Sequence, residues 1–345
     1  MKAKITVWVL MALVCGAIGC KKASELDPGD SDSELRAAAT SPTLNQVSTI
    51  AGAYYTSGST LVDGVGADAR FLYTAGIQLT DDGNMYIADG NDGVIRKLSL
   101  ITNAVSTITL PAAPSGEQML SAAYVGVAKN GTINVITYSN QNSDFPEAWI
   151  FKPGQPAFVY TSYYASYRNL VKDPYAEDFW CTRGYSAVKF KTNSNNEYVG
   201  TDAIGFDADS IYIEHGAHAS FSAMCIGYNK VKYFSDGQYL YKFTPGGVSQ
   251  RIFKEQLGVE GFTNVRNMVI NKDGRTMYIV DAGYIRRIDQ GKITTIAGPN
   301  GFNDNRDGKG RQADVHASCL ALSKDEGTLY FSDYQAKTIR KIILR

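Results

Sequence analysis

Four short segments of the chain share one pattern: Met85-Tyr86-Ile87-Ala88-Asp89, Lys232-Tyr233-Phe234-Ser235-Asp236, Met277-Tyr278-Ile279-Val280-Asp281 and Leu329-Tyr330-Phe331-Ser332-Asp333. Each alternates between two faces and stops on Asp, as a short β-strand running into a turn does. A second strand follows each after a tight turn: Ile95-Arg96-Lys97, Leu240-Tyr241-Lys242, Ile285-Arg286-Arg287 and Ile339-Arg340-Lys341. Two degenerate copies fill the interval, Asn134-Val135-Ile136-Thr137 leading to Ile150-Phe151-Lys152, and Phe179-Trp180-Cys181-Thr182 leading to Val188-Lys189-Phe190. The end positions 89, 137, 182, 236, 281 and 333 lie 45 to 54 residues apart, which makes six units. One such unit cannot bury its own apolar face, so the units must stack into a continuous core.

Each unit also has an apolar strand ahead of the Tyr strand, such as Gly76-Ile77-Gln78-Leu79, Val125-Gly126-Val127-Ala128 or Met268-Val269-Ile270. Asp82-Gly83, Asn130-Gly131 and Asp273-Gly274 join the two, supplying the positive φ that tight hairpins need. A fourth strand follows in the best copies, Val105-Ser106-Thr107-Ile108 and Ile293-Thr294-Thr295-Ile296. Four antiparallel strands at this period are one propeller blade, so an all-β, six-bladed β-propeller is expected over residues 47–345. The last unit stops after its third strand, and Val47-Ser48-Thr49-Ile50-Ala51-Gly52 matches Ile293 to Gly298. The N-terminal strand is therefore expected to close the last blade, which removes a free sheet edge.

The Ile-Ala-Gly, Asp-Gly-x-Gly, Tyr-Ile-x-Asp and Ile-Arg-Lys elements resemble those of NHL-repeat β-propellers. In the first unit they run as Asp63-Gly64-Val65-Gly66, Ala69-Arg70-Phe71, Tyr86 to Asp89 and Ile95 to Lys97. The resemblance is strong in units one, five and six, partial in four and weak in two and three. In such a propeller recurrent residues are mostly architectural. Tyr86, Tyr233, Tyr278 and Tyr330 are expected to pack between blades, and Asp89, Asp236, Asp281 and Asp333 to accept backbone N–H bonds at turns.

Ahead of the repeats, Lys2 and Lys4 precede an apolar run from Ile5 to Ile18 and then Gly19-Cys20. That layout is a secretory signal, expected over residues 1–19, and Ala17-Ile18-Gly19-Cys20 resembles a bacterial lipobox with Cys20 as the lipidated residue. Ala17 stands where the usual motif has Leu. Residues 20–46 are polar and aperiodic, read as a tether. With 34 Lys and Arg against 34 Asp and Glu, the chain lacks the cationic surplus that nucleic-acid binding needs. Cys181, Cys225 and Cys319 sit in apolar contexts and read as buried free thiols.

Candidate ligand-binding residues are those that depart from the repeat near the strands expected to line the channel. Arg168-Asn169 and Arg266-Asn267 enter units three and five, where unit one has Ala75-Gly76 and unit six Ser318-Cys319. Two guanidinium groups at a channel mouth can hold an anionic group bidentately. Pairing with a nearby acid, Asp173 or Glu260, is the competing expectation. His215 and His218 precede unit four and His316 precedes unit six. The channel of a related propeller lyase holds metal through His, but a Gly-containing loop around His215 and His218 favours a ligand contact, and neither a metal nor a cofactor is expected. Tyr160, Tyr163, Tyr164 and Tyr167, followed by Tyr175, Phe179, Trp180 and Tyr185, concentrate aromatic surface; the adjacent Tyr163 and Tyr164 cannot both face inward from a strand. Asn303-Asp304-Asn305-Arg306-Asp307-Gly308 with Asp314 has calcium-loop spacing, but a turn shared between repeats explains it better.

Taken together, these features point to a monomeric, non-catalytic binding module of the bacterial cell envelope. It would be held at the outer membrane by its lipid anchor alone and recognise a glycan, peptide or protein partner. The alternative is a metal-dependent lyase or hydrolase using His218, His316 and nearby acids.

Overall fold

The computed structural model describes residues 43–54, 60–90, 93–138, 146–161, 167–184, 186–192, 198–205, 220–227, 230–244, 250–253 and 261–345. The chain divides into two units, residues 1–41 and 42–345, and the first lies outside the described residues with Cys20, the expected signal and most of the expected tether, whose last residue, Gln46, opens a strand.

Every repeat forms one antiparallel sheet whose strands follow chain order from the inside outward. Blade 1 runs Thr74–Leu79, Asn84–Asp89, Val94–Ser99 and Ala104–Thr107. The innermost strands of blades 2 to 6 are Ala122–Val127, Tyr167–Lys172, Ala223–Ile226, Val265–Ile270 and Ala317–Leu322. These six strands lie side by side in succession, and the last lies against the first, so the ring is a six-bladed β-propeller. Blade 6 takes its outer strand from the other end of the chain: Gln46–Ala51 pairs with Thr338–Ile343, with Val47 opposite Ile342 and Thr49 opposite Arg340. Both ends of the repeat region are thereby tied into one sheet. Two-residue strands, Gly64–Val65 and Gly308–Lys309, then cover the outer edges of blades 1 and 6.

The period-2 alternation sends successive side chains to the two neighbouring blades. Met85 and Ile87 of blade 1 meet Ile50, Cys319 and Ile339 of blade 6, while Tyr86 on the opposite face packs against Val125, Val135 and Trp149 of blade 2. Tyr278, Tyr233 and Tyr330 take the same inter-blade position, as the repeat pattern implies. Gly83, Gly131 and Gly274 turn the hairpins with φ of 77°, 82° and 73°. Blade 3 is one residue out of phase with the sequence expectation. Trp180 faces the blade 4 cluster of Phe221, Met224 and Phe234, and Tyr167 pairs with Arg183 as Val265 pairs with Asp281. Arg183, not Thr182, thus ends the unit; without a Tyr-x-x-Asp signature the sequence there carries no phase marker.

The strand-end acids do more than accept backbone bonds. Asp89 accepts from the Leu72 and Tyr73 N–H groups, Asp281 from Thr263 and Asn264, and Asp333 from His316 and Ala336. Each also meets the Arg of the following strand: Arg96 Nη1 lies 3.2 Å from Asp89, Arg340 Nη1 2.8 Å from Asp333, and Arg286 Nη2 3.2 Å from Asp281. Arg96 and Arg340 continue outward to Asp63 and Asp307, both at 2.9 Å. Those outer acids also accept from the backbone and hydroxyl of Thr107 and Thr49 respectively. In blade 4, Tyr241 replaces Arg and its hydroxyl donates to Asp236 at 2.7 Å. The calcium-like loop is thus a repeat turn, in which the cation met by Asp307 is the Arg340 guanidinium.

Cys181, Cys225 and Cys319 are buried free thiols. Burial pushes all three above the usual thiol range, Cys319 to about 11. We expect a thiol-reactive dye to leave the folded body's three cysteines unlabelled at pH 8 and to modify them only in denaturant. Rapid labelling of Cys319 in the folded protein would contradict its placement between blades.

Candidate functional site

Two registers of the inner strands divide architecture from candidate recognition. One carries Tyr124, Asn169, Asn267 and Cys319 in blades 2, 3, 5 and 6, and each reaches the next blade. The Tyr124 phenol lies near the Asn169 backbone N–H, Asn169 Nδ2 donates to the Ser222 carbonyl, Asn267 Oδ1 accepts from the Leu320 N–H at 2.9 Å, and Cys319 Sγ lies 3.9 Å from the Ile77 carbonyl. Asn267 Nδ2 also approaches Asn169 Oδ1 at 3.4 Å. In blade 1 the position is Gly76, because a Cβ would lie 2.7 Å from the Ala123 carbonyl oxygen and the Tyr124 Cα. Asn169 has a left-handed φ of 59°, which Asn tolerates better than most residues. Asn169 and Asn267 are buried and spend their amides on joining blades.

The preceding register faces the mouth. Arg168 and Arg266 sit at equivalent positions, where a register irregularity follows the strand entry, and both side chains are exposed. Neither forms an ion pair with a carboxylate among the described residues. Asp173, the partner expected for Arg168, accepts from Trp180 Nε1 and the Tyr175 N–H instead; Glu260 lies outside the described residues. Arg266 rests on Asn264, whose amide oxygen, turned toward it, accepts from Nε and Nη2 at 3.2 Å each.

On the neighbouring blades 6, 1 and 2 stands a rim of tyrosines that the repeat pattern does not mark. Tyr124 and Tyr138 have centroids 6.3 Å apart, Tyr73 and Tyr334 6.5 Å, and Tyr334 meets His316 edge-on at 5.9 Å. Burial raises the phenol pKa values of Tyr73, Tyr124 and Tyr138, and the Arg266 charge opposes that rise in all three. Arg168 opposes the rise at Tyr124 as well. Tyr138 is half-exposed yet has its phenol strongly raised, as expected of a ring on a concave wall.

His316 is nearly buried at this mouth, with Nε2 3.6 Å from Asp314 Oδ1. Burial works against the Asp314 charge, but the Asn300 and Asn305 N–H groups and His316 hold its pKa below the ordinary value. Among the described residues no three His, Cys, Asp or Glu side chains gather as a metal site. His215, His218, Tyr163, Tyr164 and Tyr185 lie outside the described residues. Tyr167, Phe179 and Trp180 are core, Tyr167 packing on Tyr160 and Phe190. Tyr73, Tyr124, Tyr138 and Tyr334 were missed because attention to repeats and runs passes over single residues at strand ends. The signal available was the place of Tyr73, Tyr138 and Tyr334 immediately beside the inner and second strands, and of Tyr124 within an inner strand.

The opposite mouth differs in charge economy. There the channel opens as a cavity of about 960 Å³, with Leu170, Met268 and Leu320 in its wall and Lys172 and Glu177 at its rim. Several of its charges are paired: Glu177 meets Lys172 at 3.2 Å and Lys129 at 3.5 Å, and Asp81 meets Lys324 at 3.4 Å, while Asp82 and Asp173 accept hydrogen bonds from neutral donors.

Fold and mouth together define a six-bladed propeller with an aromatic, cationic loop face. Solved structures with this architecture include an auxiliary nutrient binding protein from Bacteroides ovatus, at 14% identity and a TM-score of 0.62 over 86% of this chain and 76% of that one. A protein of unknown function from Bacteroides thetaiotaomicron matches at 20% identity and 0.61, over 86% and 75%. A catalytically inactive virginiamycin B lyase from Staphylococcus aureus, solved with quinupristin, matches at 13% and 0.52, over 79% and 95%. At such identities the likeness is one of fold. No protein-family model matches the chain, and no curated protein matches it in sequence.

Proposed function

We propose that the protein is a non-catalytic binding module of the bacterial cell envelope, built on NHL-type repeats, that captures a nutrient ligand at the mouth holding Arg168 and Arg266. One observation carries the reading: two guanidinium groups at equivalent positions of one mouth stand exposed and, among the described residues, without carboxylate partners, and the same mouth carries exposed tyrosines. Packing has no use for such a pair of like charges; a ligand does. Fold likeness to an auxiliary nutrient binding protein supports the same direction. Lys2 and Lys4, the apolar run and Cys20 support an outer-membrane lipoprotein whose tether runs from Cys20 up to the closing strand at Gln46.

The test is a thermal-shift screen of the full chain with glycans, peptides and divalent metals. A ligand at a hundredfold excess over its Kd adds about 2.7 kcal/mol to stability, a rise of several degrees. Tyr138→Ala is expected to abolish the shift without lowering the unliganded Tm by more than about 2 °C, because the ring is half-exposed. A hit that Tyr138→Ala and Arg266→Ala both leave intact would move the site elsewhere.

The His316–Asp314 approach favours one second reading, a metal-dependent lyase or hydrolase at the same mouth. Elemental analysis showing a stoichiometric metal that is lost in His316→Ala would establish it over the binding module.

A further inference from the structure

Building on the binding-module reading, we propose that the ligand is a carboxylated sugar whose carboxylate lies over the channel axis between Arg168 and Arg266 and whose ring rests on the tyrosine rim. Arg168 and Arg266 occupy one register of blades 3 and 5, both exposed, and their chain neighbours Asn169 and Asn267 approach each other at 3.4 Å. Two guanidinium groups sharing one mouth repel each other until an anion arrives between them, so an anion gains from both at once. A carboxylate matches each planar fork in bidentate geometry, as a phosphate also does.

The backbone argues against an extended peptide as the main ligand. A peptide added along a strand needs free main-chain donors and acceptors. Here the N–H groups of Leu72, Tyr73, Thr263, Asn264 and His316 are already bound by Asp89, Asp281 and Asp333. Recognition is left to side chains, and those present are planar cations and phenols. Tyr138 and Tyr334 are 48% and 39% exposed, offering ring faces to the C–H face of a sugar and hydroxyls to its own.

The experiment is titration calorimetry on the full chain with trigalacturonate and 3′-sialyllactose, against the methyl ester of the first, lactose and hexaglutamate. One or both sugar acids are expected to bind, with the neutral counterparts at least about tenfold weaker, and Arg168→Gln and Arg266→Gln each losing about tenfold, or about 1.4 kcal/mol. Affinity should fall as salt rises from about 50 to 500 mM, and circular dichroism melts should show both variants as stable as the parent. Equal binding of acid and neutral sugars, insensitive to either Arg variant but lost in Tyr138→Ala, would overturn the carboxylate while leaving the binding module standing. Tighter, Arg-dependent binding of hexaglutamate would overturn the sugar. No binding by any of the five, acid or neutral, would overturn the inference, while the wider screen described above separately decides the binding module.

Discussion

Replacing Arg340 with Ala is expected to remove about 3–5 kcal/mol of stability, enough to bring many domains near unfolding. Arg340 has no exposed side-chain surface, and neither has Asp333, which it meets at 2.8 Å. Its second fork reaches Asp307 at 2.9 Å, and the two amino groups also donate to the Asp314 and Arg306 carbonyls. Truncation leaves Asp333 ionised in a dry site with only backbone N–H bonds, and takes the guanidinium donor from the buried Asp314 carbonyl. Blade 6 also loses the post that fixes Asp307 against Thr49 of the closing strand. Urea titration followed by circular dichroism and tryptophan fluorescence measures the loss. Arg286→Ala is the control: its side chain is 27% exposed and its Asp281 contacts are 3.2 Å, so a distinctly smaller loss is expected. An Arg340→Met, Asp333→Asn double variant should recover part of the deficit, because neither charge is then stranded. Equal, small losses at Arg340 and Arg286 would show that the buried pairs add little.

Deleting residues 46–51 should have a still larger effect, leaving no cooperative unfolding transition at all. That strand is the outer strand of blade 6, so its removal exposes the edge of Thr338–Ile343 and opens the link between the two ends of the ring. Val47 and Ala51 are wholly buried, Val47 among Val280, Phe331 and Ile342, and Ala51 beside Phe71 and Ile339. The milder variant Val47→Asp keeps the backbone and places a lone carboxylate in that core. It should cost several kcal/mol and promote association through the weakened blade. Size-exclusion chromatography with light scattering and a calorimetric melt read both. A deletion variant that stays monomeric and melts cooperatively would mean the ring closes without its N-terminal strand.

The Tyr-x-x-Asp and Ile-Arg-Lys repeats made the blades legible because β alternation and Asp-Gly turns are local, written in neighbouring residues. Where the marker is missing, at Phe179 to Arg183, the phase was lost by one residue. The Arg–Asp posts had a signal that local reading passes over: Arg96 and Arg340 each stand 7 residues after one acid and 33 after the other. Among the candidate residues, Arg168 and Arg266 stood out as departures from the repeat. That their Asn neighbours would serve the blade joints was not readable, because it depends on which register faces the next strand.

The tyrosine rim lay beyond sequence reasoning altogether. Tyr73, Tyr124, Tyr138 and Tyr334 come from three blades, and Tyr73 and Tyr334 are 261 positions apart but meet at 6.5 Å. By itself the sequence determined six blades, their strand order and the N-terminal closure, since each follows from periodicity and turn chemistry within a few residues. Only the tertiary structure decided which single residues share the mouth and which charges there go unpaired. Closing the ring brings together strand ends that no local pattern relates, and it is their separation in space, not along the chain, that sets the electrostatics of the site.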